Sequence, residues 1–470
     1  MIIQQLFSGL VECTPDLDIV PDLARSWEIL DNGRRYVFHL RPEARWSDGR
    51  PVTAHDFEFT WKYQLNPAKA SPNHELLFDL RGARAYYEGR AQPDDIGVRA
   101  VDDLTLVVEL EEPVGHFLQV LACNMLFAIP RHAVEAYGPQ WATPANIITN
   151  GPFRLEAWRP EECIVLVRNS DYHGRATGNV SRIELTVSEN WKGDEGLKSY
   201  EAGTSDICVF SSTAPETIEQ ARQQHPGEYV EMPDAFTSLA FFNVERPPFD
   251  DVRVRQAFVH AVDRVALAEG VFRSIVSPAT GGCVPPGMPG HSERIGLPYD
   301  PERARQLMAE AGYPAGRGFP TIEAYYMGAL RMTQHLQQQW HDSLGVNLQF
   351  TFMPSDEWRE QQLWPATHLA INGWTADYPD PHTFLSVAIH GFVPSWHNAD
   401  YDHLLNVARH STDPIERIKV YQSAERILIQ EAPIMPLRYT RLYYLLKPWI
   451  KRYPISPFGT YWKDVVIEPH

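Results

Sequence analysis

Motifs for covalent chemistry are missing from this sequence. Its 470 residues contain no GxSxG, HExxH, P-loop or GxGxxG pattern. The usual arrangements for acyl transfer, zinc hydrolysis and nucleotide binding are therefore absent. Cysteine is scarce, with five residues at 13, 123, 163, 208 and 283. The count is odd and no CxxC or Cys/His zinc spacing occurs, so they read as buried small hydrophobes or one chance disulfide pair. His55, His335, His341, His382 and His397 stand alone without metal-ligand spacing, and no metal or cofactor is expected. No Lys/Arg cluster interrupts a net charge of −18, which would repel nucleic acid. No apolar run reaches the roughly 18 residues of a membrane-spanning helix. The opening MIIQQLFSGLVE has neither the basic stretch nor the small-residue cleavage site of a secretory signal.

The composition itself is that of a globular protein, 44% hydrophobic and 22% charged. The length suits two or three domains with sizeable cores. Thirteen Trp, 20 Tyr and 21 Phe serve mainly packing. The 38 prolines gather at strand and helix exits and form no low-complexity tract, so no disordered linker is expected.

The first 110 residues have strand patterns. SWEILDNGRRYVFHL alternates around Asn32-Gly33, a hairpin signal, and DIGVRAVDDLTLVVEL bends at Asp102-Asp103. Thr53 followed by Asp56 opens a helix through Phe57 and Trp61 with a capping-box spacing. Asn150-Gly151 predicts a turn between strands in 146–169. Asp250 and Asp251 suit the start of a helix running through VRVRQAFVHAVDRVALAEGVF. From about 300, helix and strand alternate: DPERARQLMAEAGYP, TIEAYYM, RMTQHLQQQWHDSLG, VNLQFTFM, SDEWREQQL, HLAINGW. That order predicts a mostly parallel sheet with helices on its faces. DPIERIKVYQSAERILIQEAP is a long amphipathic helix, and IMPLRYTRLYYLLKPW gives two further strand-like pieces.

One stretch stands out. In NGWTADYPDPHTFL, residues 372–385, a Trp and an Asp follow the end of a short apolar strand. In open α/β sheets, ligands bind in crevices at the carboxyl ends of strands. Asp377 and Asp380 each stand near a proline and also fit turn positions. The functional reading is a carboxylate facing a cleft, with Trp374 as a wall that attracts an ammonium.

The sequence resembles the family-5 solute-binding proteins of ABC importers. The stretches that carry the resemblance are IVPDLARSWEILDNGRRYVFHLRPEARWSDGRPVTAHDFEFTWKY, GVRAVDDLTLVVELEEPV, NIITNGPFRLEAW, RPPFDDVRVRQAF, ARQLMAEAGYP, LGVNLQF, GWTADYPDPHTFL and LLKPWIKRYP. They cover essentially the whole chain in order.

The resemblance implies an α/β, two-lobe periplasmic-binding-protein fold of the large class II type, with an extra strand-rich subdomain. Lobe I would comprise 1–8, 131–233 and 450–470, the subdomain 9–130 and lobe II 234–449. It also implies a non-enzymatic monomer outside the cytoplasmic membrane, on its periplasmic or extracellular face. That protein captures short peptides in the interlobe cleft and hands them to ABC permease subunits. Asp377 would hold the peptide α-ammonium, the backbone of Gly373, Trp374 and Thr375 would pair with the peptide, and Phe236 and Tyr439 would join the site.

Two departures change the expectation. Ile371 stands where the family's oligopeptide binders carry an Arg, so Arg331 and Arg438 become candidates for the ligand carboxylate. The family's leading strand and LDP-like loop align before Met1, which implies an N-terminally truncated member. Two alternatives remain open: a ligand-sensing domain of a larger regulatory protein, and a binder of another family ligand such as a nickel complex or an oligosaccharide.

Overall fold

The computed structural model describes residues 2–469 apart from 70, 188–194, 211–213, 329, 355–356, 358–363 and 365–366. Most of the expected SDEWREQQL helix lies outside the described residues.

The first half of the chain folds as the strand patterns predict. Strands β1 (Ala24–Leu30), β2 (Arg35–Leu40), β3 (Val98–Asp102) and β4 (Thr105–Glu109) form an antiparallel sheet in the order β1-β2-β4-β3. Asn32 takes a left-handed φ of 55° between β1 and β2, a conformation that Asn tolerates better than most residues. Helix α1 (Ala54–Leu65) begins with the expected cap. Asp56 Oδ2 accepts the Thr53 amide at 2.9 Å and the Trp46 indole N–H at 3.3 Å. Phe57 and Trp61 are fully buried beneath it. A second sheet holds β5 (Phe153–Arg159), β6 (Cys163–Arg168) and β7 (Arg182–Thr186). One continuous core joins the two sheets, running from Leu6 to Leu166 and taking in Trp462 and Val465.

Asn150-Gly151 is not the expected turn between two strands, because a strand only follows it, at Phe153. Asn150 is fully buried and its Oδ1 accepts the Ser8 amide at 2.9 Å. A Cβ at Gly151 would lie 2.6 Å from the Gln5 carbonyl oxygen. The pair lets the N-terminal segment approach the backbone closely, a second use of a turn-like dipeptide.

The rest of the chain builds one large sheet. Its strands are β8 (Ile207–Phe210), β9 (Tyr229–Phe242), β10 (Ser277–Pro278), β11 (Ile322–Tyr326), β12 (Leu348–Phe352), β13 (Leu369–Thr375) and β14 (Ile434–Leu446). The order is β8-β14-β9-β13-β11-β12, with β10 added on β14. β11 runs parallel to both β12 and β13, while β9 and β14 run antiparallel to their neighbours. The sheet is therefore mixed rather than mostly parallel. The expected pair of strand pieces near the C-terminus is one continuous strand of 13 residues, β14.

Alternation along β9 fills two cores. Ala240 and Phe242 enter the core shared with Phe258 and Trp340, and Leu239 and Phe241 enter the one on the opposite face, as the two-residue period of a strand requires. The helix expected to start near Asp251 is two helices, Val252–His260 and Arg264–Gly270. Asp251 caps the first, and Asp263 caps the second by accepting the amides of Val265 and Ala266.

The segment 195–233, placed with the first lobe by the sequence, packs on the large sheet instead. β8 pairs with β14, and Leu197, Tyr200, Ile218 and Ala221 join its core. The physical reason is pairing: β8 adds to the edge of β14, and its flanking helices bury their apolar side chains in the same core.

The strand-rich part and the large-sheet unit also touch near residues 79–115 and 409–411. The Gly115 amide donates to the Arg409 carbonyl at 2.8 Å, Arg409 pairs with Asp79, and His410 Nε2 lies 2.6 Å from Glu112 Oε2. A Cβ on Gly115 would lie 2.1 Å from the Ser411 carbonyl oxygen.

Trp340 tests the larger core. It is fully buried and its indole N–H reaches the Phe258 carbonyl at 2.9 Å. Trp340→Ala is expected to cost about 3–5 kcal/mol, read as a lower midpoint in urea unfolding. An unchanged midpoint would refute the packing role.

Candidate functional site: a cleft with an unpaired carboxylate

β13 positions the site. Along Phe236–Phe242 it is paired antiparallel with β9, so Thr375 lies opposite Phe236 and Gly373 opposite Ser238. On its other edge, β11 accompanies it only as far as Ile371. From Asn372 to Thr375 that second edge has no strand partner among the described residues. Unpaired N–H and C=O groups in such a row are a template for an added strand. Gly373 is needed there because a Cβ would meet the Phe236 ring at 2.1 Å and the Thr237 carbonyl oxygen at 2.6 Å.

Beyond the strand, the chain turns so that Asp377 is half-buried. Its Oδ2 accepts the Thr383 hydroxyl at 3.2 Å, and Thr383 Oγ1 accepts the Asp377 amide at 3.3 Å. The same Oγ1 accepts the Trp374 indole N–H at 2.9 Å. The Trp374 ring is held edge-on against Phe392, 5.8 Å between centroids. One hydroxyl therefore fixes both residues that the sequence singles out. Asp377 has no ion-pair partner among the described residues. Burial raises its pKa, and only the Thr383 hydrogen bond and its own backbone oppose the rise.

Asp377 lies on a cavity of about 260 Å³ between the two units. Ala376, Tyr378 and Pro379 line it from the same loop. The opposite wall belongs to the first unit and includes Glu12, Asp22, Gln119, Cys123, Asn124, Tyr172 and Lys463. Lys463 Nζ is 2.6 Å from Glu12 Oε2, and His173 Nε2 is 2.9 Å from Asp22 Oδ1. Burial raises the Glu12 carboxyl in spite of Lys463. Both cavity cysteines are kept as thiols by burial, Cys13 at about 12 and Cys123 at about 11.

The loop after Asp377 is anchored in the first unit. Tyr378 joins the first unit's core. His116 stacks on His382 at 4.1 Å and on Tyr378 at 5.6 Å, while the Tyr378 hydroxyl meets His382 Nδ1 at 2.8 Å. Burial holds His382 down to about 3 and His116 well below its ordinary value, so both rings are neutral aromatic surfaces. Asp380 forms a buried pair with Arg417 at 2.9 Å, and burial pushes its carboxyl up to about 6.

Of the eight candidates only Asp377 lines the cavity. Gly373, Trp374, Thr375 and Phe236 stand together where β13 pairs with β9. Arg438 and Tyr439 lie one strand further on, opposite Ser238 and Thr237, and Arg331 stands apart. Arg331 is exposed at the start of the helix Leu330–Leu344 and pairs with Glu216 at 3.4 Å. Arg438 is buried on β14 with its guanidinium 4.4 Å above the Phe272 ring and does not line the cavity. Burial lowers it to about 10. The Tyr439 hydroxyl donates to the Gly282 carbonyl at 2.7 Å and serves the fold. Linear spacing places these residues on the right elements but does not fix which face or end they occupy. Thr383, His116 and the first-unit wall were missed. The only signal for Thr383 was its place six residues after Asp377.

The family profile described as "Bacterial extracellular solute-binding proteins, family 5 Middle" matches residues 18–393. The chain belongs to this family. Family-5 proteins bind solutes and are not enzymes. Over 100% of the chain it is 34% identical to the probable deoxycholate-binding periplasmic protein of Escherichia coli, covering 89% of that protein. It is 31% identical, again over its whole length, to the periplasmic oligopeptide-binding protein of E. coli, covering 88% of it. Among solved structures, the E. coli murein tripeptide-binding protein superposes with a TM-score of 0.81 at 28% identity, covering 100% of this chain and 94% of the other. Haemophilus influenzae OppA in complex with the peptide RPPGFSPFR gives 0.79 at 25% identity, covering 99% and 94%. The two-lobe architecture is thus the family-5 fold.

Thr383 is open to a direct test. Thr383→Val removes a hydrogen bond to the ionised form of Asp377, so the Asp377 pKa should rise above its wild-type value. Carbon-13 NMR titration of the side-chain carboxyls reads this, with Asp377→Asn assigning the signal. A midpoint at or below the wild-type value would show that the hydroxyl does not stabilise the charge.

Proposed function

We propose that this family-5 protein captures short peptides with a free amino terminus, outside the cytoplasmic membrane, and delivers them to an ABC permease. The observation that carries the reading is the half-buried Asp377 carboxylate, which faces the cavity with no counter-ion among the described residues. An ammonium group would supply that charge. The ligand main chain would extend β13 along its open edge at Asn372–Thr375. The protein acts as a monomer, and its closing unit runs from about 195 to 446. That names of relatives include peptide binders supports this reading. The cavity also carries more carboxylates than cations, since Asp377, Glu12 and Asp22 face Lys463. This favours an amine over an anionic steroid acid.

Titration calorimetry with trialanine, N-acetyl-trialanine and deoxycholate tests it. Trialanine should bind and the other two should bind weakly. Asp377→Ala should weaken trialanine binding by about 3 kcal/mol, some hundredfold. Equal affinities for trialanine and its acetylated form would refute the amine anchor.

The pH dependence follows from the sign of the shift. Ammonium binding needs the ionised carboxyl, and burial raises the pKa at which the unliganded protein loses it. Affinity should therefore stay constant as long as the carboxyl remains ionised. It should fall about tenfold per pH unit once the pH drops below that raised value, starting above the range of an ordinary exposed Asp. Asp377→Asn should abolish this dependence. A wild-type profile that stays flat down to the ordinary carboxylate range would count against the assignment.

A further inference from the structure

Part of the wall opposite Asp377, the stretch from Gln119 to Phe127, comes from the strand-rich part of the chain, and its backbone is held from two sides. On one side, Gly115 and His116 are fixed to the large-sheet unit by the Arg409 carbonyl and the His382 ring. On the other, the Trp61 indole N–H donates to the Leu126 carbonyl at 3.0 Å and Gln64 Nε2 to the Met125 carbonyl at 2.7 Å. Between these fixings lie the short helix Phe117–Leu121 and the turn Asn124–Leu126. Gln119 and Asn124 project from them into the cavity, half-buried. Neither side-chain amide has a hydrogen-bond partner among the described residues, although the Met125 and Leu126 carbonyls beside Asn124 are both engaged. The charge of Asp377 reaches this wall, since it adds to the burial that raises the neighbouring Cys123 thiol.

A polar amide set on a rigid support and left without a partner beside a charged anchor is pre-organised for a ligand group. A carboxamide offers both a donor and an acceptor. The complementary ligand chemistry is a neutral group with the same pair of functions. A peptide unit adjoining an amine has both, and it lies within one bond of the ammonium-bearing carbon.

We infer that Gln119 and Asn124 are ligand-binding residues that recognise the first peptide unit next to the ammonium held by Asp377. The strand-rich subdomain is then a jaw of the binding site as well as a support. This inference rests on the amine-anchor reading above and adds the chemistry of the facing wall.

Calorimetry on the full chain tests it with trialanine and N-acetyl-trialanine. Gln119→Ala and Asn124→Ala should each weaken trialanine binding about fivefold, and the double variant more than tenfold. The unfolding midpoints should stay at the wild-type value, because neither amide holds any part of the fold. Gln119→Leu and Asn124→Leu, which keep the side-chain volume, should show the same losses. A double variant that binds trialanine as tightly as wild type, while the acetylated peptide still binds weakly, overturns this inference and leaves the anchor standing. Affinity losses that appear only with lowered unfolding midpoints in both sets of variants also overturn it. Equal wild-type binding of the two peptides overturns the anchor reading, and this inference with it.

Discussion

A carboxylate left half-buried with no counter-ion among the described residues is electrostatically costly, and Asp377 is such a group. Burial disfavours its charge, and a single hydroxyl, that of Thr383, partly compensates. That hydroxyl also receives the Trp374 indole N–H, so the indole and the charged group share one anchor. A structure that keeps such a group in place must be stabilised elsewhere. Here the large sheet, with a core on each face, holds the strand from which the loop departs.

The cleft is a meeting of two bodies, and the loop carrying Asp377 belongs to both. Trp374 packs with the large sheet's second core, whereas Tyr378 four residues later enters the core of the first unit. The stacked rings of His116 and His382 continue that join. Burial keeps both imidazoles neutral, so they act there as flat, uncharged surfaces. The Asp380–Arg417 pair beneath them is buried on both sides, which makes it costly to break and therefore a device for geometry more than for net stability. Closure of two lobes about a ligand is the mechanism this arrangement suits, and the Gly115 amide on the Arg409 carbonyl is a further contact between the strand-rich region and the large-sheet unit.

Where local pattern and packing agree, the sequence was sufficient. The Asn32-Gly33 hairpin, the Thr53 cap and, among the described residues, the helices and strands expected between 300 and 352 appear where the residues place them, because each depends on neighbours within a few positions. The Asn150-Gly151 pair shows the limit. Its turn chemistry is genuine, but a backbone segment from residues 5–8 claims it, and no local rule anticipates a partner so distant in sequence. The mixed direction of the large sheet has the same origin. Parallel pairing was expected from alternation, yet the two longest strands, β9 and β14, pair antiparallel with each other, a partnership between segments about 200 residues apart that local alternation does not encode.

By itself the sequence determined the fold class and the family, and it singled out Asp377. These reside in short stretches such as WSDG and GWTADYPDP, whose residue order is enough. Only the tertiary structure decided which charges face the cavity. Arg331, Arg438 and Tyr439 were plausible by type, but side-chain direction and the register of β14 turned them to the surface, into the core and onto a backbone carbonyl. Gln119 and Asn124 carried no signal at all, because a polar residue becomes a ligand contact only when chain segments far apart in sequence close a cavity around it.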